Sequence, residues 1–139
     1  MKIVMPTESY RLSIPDEAVE DVDDRVASYW IPDSDVLFQI SSYRRERGDQ
    51  VPASTRMEER IAREALSDLR DEELVIGDCP DSASASGIDK DSCKWLFCYG
   101  VWPNLTIFAS ISAPIAEFDR GAKWAIDSLR SMQRCIRSD

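Results

Sequence analysis

Apolar and polar residues alternate most regularly between positions 105 and 113, with Leu105, Ile107, Ala109, Ile111 and Ala113 on one side. Period two sends successive side chains to opposite faces of a strand, so this stretch predicts a half-buried strand with a wetter second face. The run before it, residues 94–101, is apolar and aromatic, and Trp102-Pro103-Asn104 interrupts the two. Together they read as strand, turn, strand. Pro114 closes the second strand. A segment of helical period follows, with Phe118, Ala122, Ala125, Ile126, Leu129 and Met132 as its buried stripe and Asp119 as its cap. Arg130 and Arg134 fall late in it, where cations complement the helix dipole.

Further towards the N-terminus, residues 3–5 read as a short strand, and Tyr10, Leu12 and Ile14 alternate along a second that ends at Pro15. In residues 16–26, Val19, Val22 and Val26 recur at helical spacing, but valine and aspartate are poor helix formers, so a helical turn and a solvated loop compete. Residues 26–31 and 36–43 predict two strands. The turn residues Pro32-Asp33-Ser34-Asp35 between them predict an antiparallel hairpin. A helix is predicted from Thr55, which has capping-box spacing to Glu58. Its stripe is Met57, Ile61, Ala65, Leu66 and Leu69, with Glu59–Arg63 and Arg60–Glu64 at i,i+4 on the other face. Leu74-Val75-Ile76 reads as a brief strand. The Ser/Ala-rich stretch within residues 79–92 has little to bury and predicts a mobile surface loop.

The expected fold class is α+β: a mostly antiparallel sheet of about six strands with two main helices packed on it, as a single domain over residues 1–139. At 139 residues the chain can bury a core without staples.

The charge narrows the partners. The formal net charge is −9, with nine acids against three bases in residues 1–35 and seven against two in residues 71–100. A field of that sign repels phosphate backbones, so no nucleic-acid partner is expected. No apolar run nears the roughly 20 residues of a membrane span, and Pro6, Glu8 and Arg11 break any leader-like stretch. The expectation is a cytoplasmic protein with no membrane partner.

Candidate chemistry is thin. With no histidine, Ser-His and Cys-His nucleophile pairs, histidine bases and histidine ligands are all excluded. The cysteines at 79, 93, 98 and 135 contain no C-x-x-C, so no metal site is expected. Cys79 and Cys93 bracket the Ser-rich stretch and could form a bridge, whereas a cytoplasmic location favours free thiols. Cys98 reads as core. The acids Asp16, Glu17, Glu20, Asp21, Asp23 and Asp24, and separately Asp81, Asp89 and Asp91, have oxygen ligands for a cation but no EF-hand pattern, and read first as solvated faces. No catalytic residue and no cofactor is assigned.

Binding residues are easier to nominate. Arg44, Arg45 and Arg47 form the one local basic group, suited to an acidic segment or simply a charged strand end. Trp95, Phe97 and Tyr99 share one strand face, read as core beneath a helix, with an exposed aromatic surface as the alternative. Trp102, at the turn, is the better candidate for exposure, and Trp124 falls off the centre of its stripe.

The order of elements resembles the PsbP-like α/β sandwich group. It runs from an opening strand pair through a Tyr29-Trp30-Ile31-Pro32 hairpin into residues 36–43, then an amphipathic helix, then strand, strand and helix ending in Ile126-Asp127-Ser128-Leu129. That group includes photosystem lumenal subunits, a Ran-binding transport factor and DcrB-type bacterial proteins. The resemblance implies a docking role rather than catalysis. The expected function is therefore a non-enzymatic protein-binding module (chaperone, adaptor or immunity-type protein), binding a protein partner or a second copy of itself. Trp102, Trp124, Arg44, Arg45 and Arg47 are its candidate binding residues. The alternative is a carboxylate- or metal-dependent hydrolase.

Overall fold

The computed structural model describes residues 1–44 and 50–135. The fold is α+β. Strands β1 (Lys2–Thr7) and β2 (Tyr10–Ile14) pair with the short C-terminal β10 (Gln133–Arg134) in a three-stranded sheet. The larger sheet has seven strands: β3 (Val19–Asp23), β4 (Val26–Trp30), β5 (Leu37–Arg44), β6 (Ser67–Glu72), β7 (Asp81–Ile88), β8 (Cys93–Trp102) and β9 (Leu105–Pro114). Their order across it is β3-β4-β5-β9-β8-β7-β6, and every pairing is antiparallel. Helix α1 (Ala53–Arg63) lies on one face of this sheet. Helices α2 (Ile115–Gly121) and α3 (Lys123–Arg130) and the three-stranded sheet cover the other.

The β8–β9 hairpin forms as its alternation predicts, in register from Cys93↔Pro114 to Trp102↔Leu105. Leu105, Ile107, Ala109, Ile111 and Ala113 join the main core with Leu96 and Cys98 of β8, Phe38 and Ile40 of β5, and Tyr10, Leu12 and Ile14 of β2. The β4–β5 hairpin is also as predicted. The opposite face of β8 carries Phe97, Tyr99 and Val101, which form a second, smaller core with Ala53 and Met57 of α1. That places the aromatic face beneath a helix.

Several expectations are corrected. The described residues contain ten strands and three helices, where about six strands and two main helices are expected from the sequence. The Ser/Ala-rich stretch is not a loop: it is β7, a strand between β6 and β8. Its alternation of small residues suits it to lie under a helix, because Ala85 tucks beneath α1 while Ser84 and Ser86 take the other face. There the Ser84 hydroxyl donates to the Leu74 carbonyl at 2.6 Å and the Ser86 hydroxyl to Glu72 at 2.7 Å, so neither buried polar group lacks a partner.

β3 replaces the expected helical turn or loop. The buried Tyr29 hydroxyl needs an acceptor, and Glu20, directly opposite it in register, accepts at 2.8 Å. Asp24 makes the reversal with φ 55°, a left-handed conformation that aspartate tolerates. The first helix starts at Ala53, not Thr55, and ends at Arg63, because residues 67–72 turn away to cover the edge of β7 as β6. The stripe beyond Ile61 is thereby broken, and Leu69 is exposed. Leu74-Val75-Ile76 is not a strand, although Leu74 and Ile76 are buried. The last helix is two, meeting at Ala122. Asp119 lies inside α2 and caps nothing, and Arg134 lies in β10.

Among the described residues no helix is long and apolar enough to cross a membrane.

Candidate functional site: an arginine-lined cleft beside the first helix

Helix α1 is narrower than the sheet it lies on. Its apolar contacts fall on β7 and β8, so the same face of β9 and β5 is left beside it as a ledge. Register sets what that ledge presents. Gln39 lies opposite Ser110, which lies opposite Phe97; Ser41 opposite Phe108, opposite Tyr99; and Tyr43 opposite Thr106, opposite Val101. The wetter face of β9 read from the alternation is therefore the floor of a groove, and α1 is its wall.

The wall is basic. A cleft of about 370 Å³ is lined by Arg56, Glu59, Arg60 and Arg63 of α1, Tyr43 and Arg44 at the end of β5, Gln50 and Val51 before the helix, and Tyr99 and Thr106 from the floor. The helical repeat brings the arginines together, since positions 56, 60 and 63 are four and three residues apart and share one side of α1. Two contacts from outside the helix hold it in place. The Asp81 carboxylate accepts from the Ala53 N–H at 2.9 Å, supplying the N-terminal acceptor that Pro52 cannot. The Gln50 side-chain amide donates to the Trp102 carbonyl, anchoring the approach to the helix at the β8–β9 turn.

Arg60 sits at the centre. Its guanidinium lies 4.1 Å from the centroid of Phe108, its Nε donates to the Tyr99 hydroxyl at 3.1 Å, and it pairs with Glu64 at 3.7 Å. Arg63 turns its Nε to the Glu59 carbonyl at 3.4 Å. Arg44 and Arg56 form no ion pair among the described residues, and the buried Arg56 Nε makes no hydrogen bond there. Among the described residues, four arginines face one cleft against a single lining carboxylate, Glu59, and make a local cationic site in a chain of net charge −9.

Beyond Arg60 the groove continues. A second cavity of about 440 Å³ is lined in part by Trp95, Phe97 and Phe108, with Gln39 and Ser110 from the ledge and Leu66 past the end of α1. The rings pack in series. Trp95 and Phe97 lie 5.8 Å apart, Phe97 and Phe108 5.8 Å, and Tyr99 and Phe108 4.8 Å. The Trp95 indole N–H donates to Asp89 at 2.9 Å. The same carboxylate accepts from the Asp91 and Cys93 amides, each at 2.9 Å. These bonds, the one from Trp95 foremost, hold the Asp89 pKa below its ordinary value.

The residues nominated from sequence scatter. Arg44 lines the cleft, whereas Arg45 and Arg47 lie outside the described residues. Trp102 is not exposed: it is 5% accessible and belongs to the main core. The reason is parity. The turn is only Pro103-Asn104, so Trp102 is still paired with Leu105 and follows Leu96 and Cys98 onto the core face. Trp124 is half-buried, with its ring 6.0 Å from Phe38 in an edge contact, on the opposite side of the sheet from the arginines. Arg56, Arg60 and Arg63 are absent from the sequence-derived candidates; their signal is arginines at i, i+4 and i+7 of an amphipathic helix, but what faces them is set by tertiary packing.

The other candidate chemistry stands as follows. All four cysteines are described, and all are free thiols. Cys79 and Cys93 flank opposite ends of β7, an eight-residue strand of about 3.4 Å rise per residue, far beyond the reach of a disulfide. Cys98 is core, as expected, and burial pushes its thiol up to about 12. Among the described residues no group of three or more Cys, Asp or Glu side chains is placed to hold a metal ion.

No protein-family model matches the chain, and a search of curated proteins finds no match. A crystal structure from Bacteroides thetaiotaomicron VPI-5482, solved at 1.50 Å, is similar over 94% of this chain with a TM-score of 0.59 at 16% identity. The match covers 46% of that protein's chain, less than half its length. At such identity the likeness shows the α+β fold and nothing about activity.

Proposed function

We propose that this protein is a non-enzymatic, cytoplasmic binding module that docks an acidic segment of a partner protein against α1. One observation carries the reading: Arg44, Arg56, Arg60 and Arg63 converge on one cleft of a chain that is otherwise strongly acidic. Guanidinium groups present a planar fork of donors that matches carboxylates bidentately, and they shed water more readily than an ammonium. An acidic partner is repelled by the rest of the surface and attracted here, so charge selects the docking site as well as the partner. The resemblance of element order to the PsbP-like group, whose members dock partners, supports the same reading by analogy.

The test is affinity purification from the native host with the wild-type protein and an Arg56→Glu, Arg63→Glu double variant. The expected outcome is a partner retained by the first, lost by the second and eluted by salt. A partner retained equally by both would overturn the reading. If the captured partner is a second copy of this chain, sedimentation will show a dimer that the double variant does not form.

The carboxylate-dependent hydrolase reading has one observation in its favour. Glu117 lies close to Asp35, and the neighbouring carboxyl raises the Glu117 pKa. Both are exposed, and neither lines the arginine cleft.

A further inference from the structure

We infer that the groove holds two subsites, so that the partner segment is an extended peptide with carboxylates at one end and an aromatic side chain about four residues away. This rests on the binding reading above and names what that reading leaves open. The two cavities share Arg60 and run along the same pair of strands. On β8 the floor passes from Tyr99 in the arginine cleft to Trp95 in the second cavity, and on β9 from Thr106 to Ser110. Four residues of strand span about 14 Å, which an extended peptide also covers in about four residues.

The ends differ in chemistry, and this fixes the polarity of the ligand. The far cavity is floored by Trp95, Phe97 and Phe108, with Leu66 at its side, and neither Trp95 nor Phe108 is fully covered by α1. Its rim carries Glu64, Asp89 and Asp91 against Lys90 and Arg60, so it repels a carboxylate where the near cleft attracts one. Asp89 also ties down the Trp95 indole, so that ring is held in place before any ligand arrives. A rigid aromatic floor of that size accepts a planar apolar side chain with little loss of side-chain freedom.

The probes are three fluorescein-labelled heptapeptides: three acids, three Ser or Thr residues and a terminal Phe; the same with Ala for Phe; and a third with the Phe set among the acids. Anisotropy at low salt is expected to show the first binding about tenfold more tightly than the other two. The gain should vanish with Trp95→Ala. Because that variant could unfold, the wild-type indole N–H resonances supply a second measurement, in which Trp95 shifts with the Phe peptide and not with the Ala peptide. Equal affinities, or a Phe gain that survives Trp95→Ala in a folded variant, would overturn the two-subsite inference and leave the arginine cleft standing. No binding by any peptide at millimolar concentration would overturn both. A protein that dimerises through this face and excludes all three peptides would replace the peptide with a second copy.

Discussion

The Arg60 guanidinium stands 4.1 Å above the Phe108 ring while its Nε donates to the Tyr99 hydroxyl. One side chain thus ties α1 to two strands, β8 and β9, at the junction of two cavities. An ammonium cannot reproduce the flat stack together with the directed N–H. Arg60→Ala is expected to destabilise by about 1–2 kcal/mol, the sum of a partly desolvated cation–π contact and a net hydrogen bond. Arg60→Lys should recover less than half of that. Urea unfolding measures both, and an alanine variant indistinguishable from wild type would show that the contact contributes nothing to stability.

Gly77 is a position where a side chain has no room. Its φ is +49°, and a Cβ there would run into the backbone carbonyl of Met132, which cannot step aside as a side chain could. Its N–H donates to the Leu129 carbonyl at 3.0 Å, fastening the segment before β7 to the end of α3. Gly77→Ala is expected to cost about 2 kcal/mol or more. Gly121→Ala meets only a methyl of Val36, which can shift, and should cost less. Thermal denaturation of the pair decides it: equal losses would contradict the backbone argument.

Asp81 acts on a helix 28 residues away in sequence, by accepting from the Ala53 N–H at the first turn of α1. Removing such an acceptor typically costs about 1 kcal/mol. Asp81→Ala is expected to show that loss in unfolding experiments, with faster amide exchange in α1, while Asp81→Asn keeps most of the stability. Unchanged exchange in Asp81→Ala would mean the helix is held by its apolar face alone.

Acid should loosen the Trp95 end of the groove. The Asp89 pKa is depressed from its ordinary 3.8, first by the Trp95 indole bond and then by the Cys93 amide. A depressed carboxyl favours the folded state above its unfolded pKa, and that contribution disappears as pH falls through the lower folded value. Stability and Trp95 order are therefore expected to decline below about pH 4 more steeply in wild type than in Asp89→Asn, which has no charge to lose there. Parallel pH titrations of the two proteins, followed by tryptophan fluorescence, would refute this if their acid limbs coincide.

What the sequence determined is what its periodicity encodes. Alternation at Leu105, Ile107, Ala109, Ile111 and Ala113 set both the strand and the face it buries. Turn residues set the β4–β5 and β8–β9 hairpins, and the spacing of Met57 and Ile61 set the buried side of α1. These depend on neighbours a few positions apart, and the structure keeps them. Tertiary structure decided the rest, because backbone pairing and burial depend on partners far along the chain. The Ser/Ala stretch became β7 because its small side chains fit between α1 and the main core. Residues 67–72 left the helix because β7 presented an edge to pair. Trp102 went inward because a two-residue turn preserved strand parity up to its last residue. The arginines of α1, which local pattern shows only as the polar side of a helix, became a cleft because the sheet extends beyond the helix that lies on it.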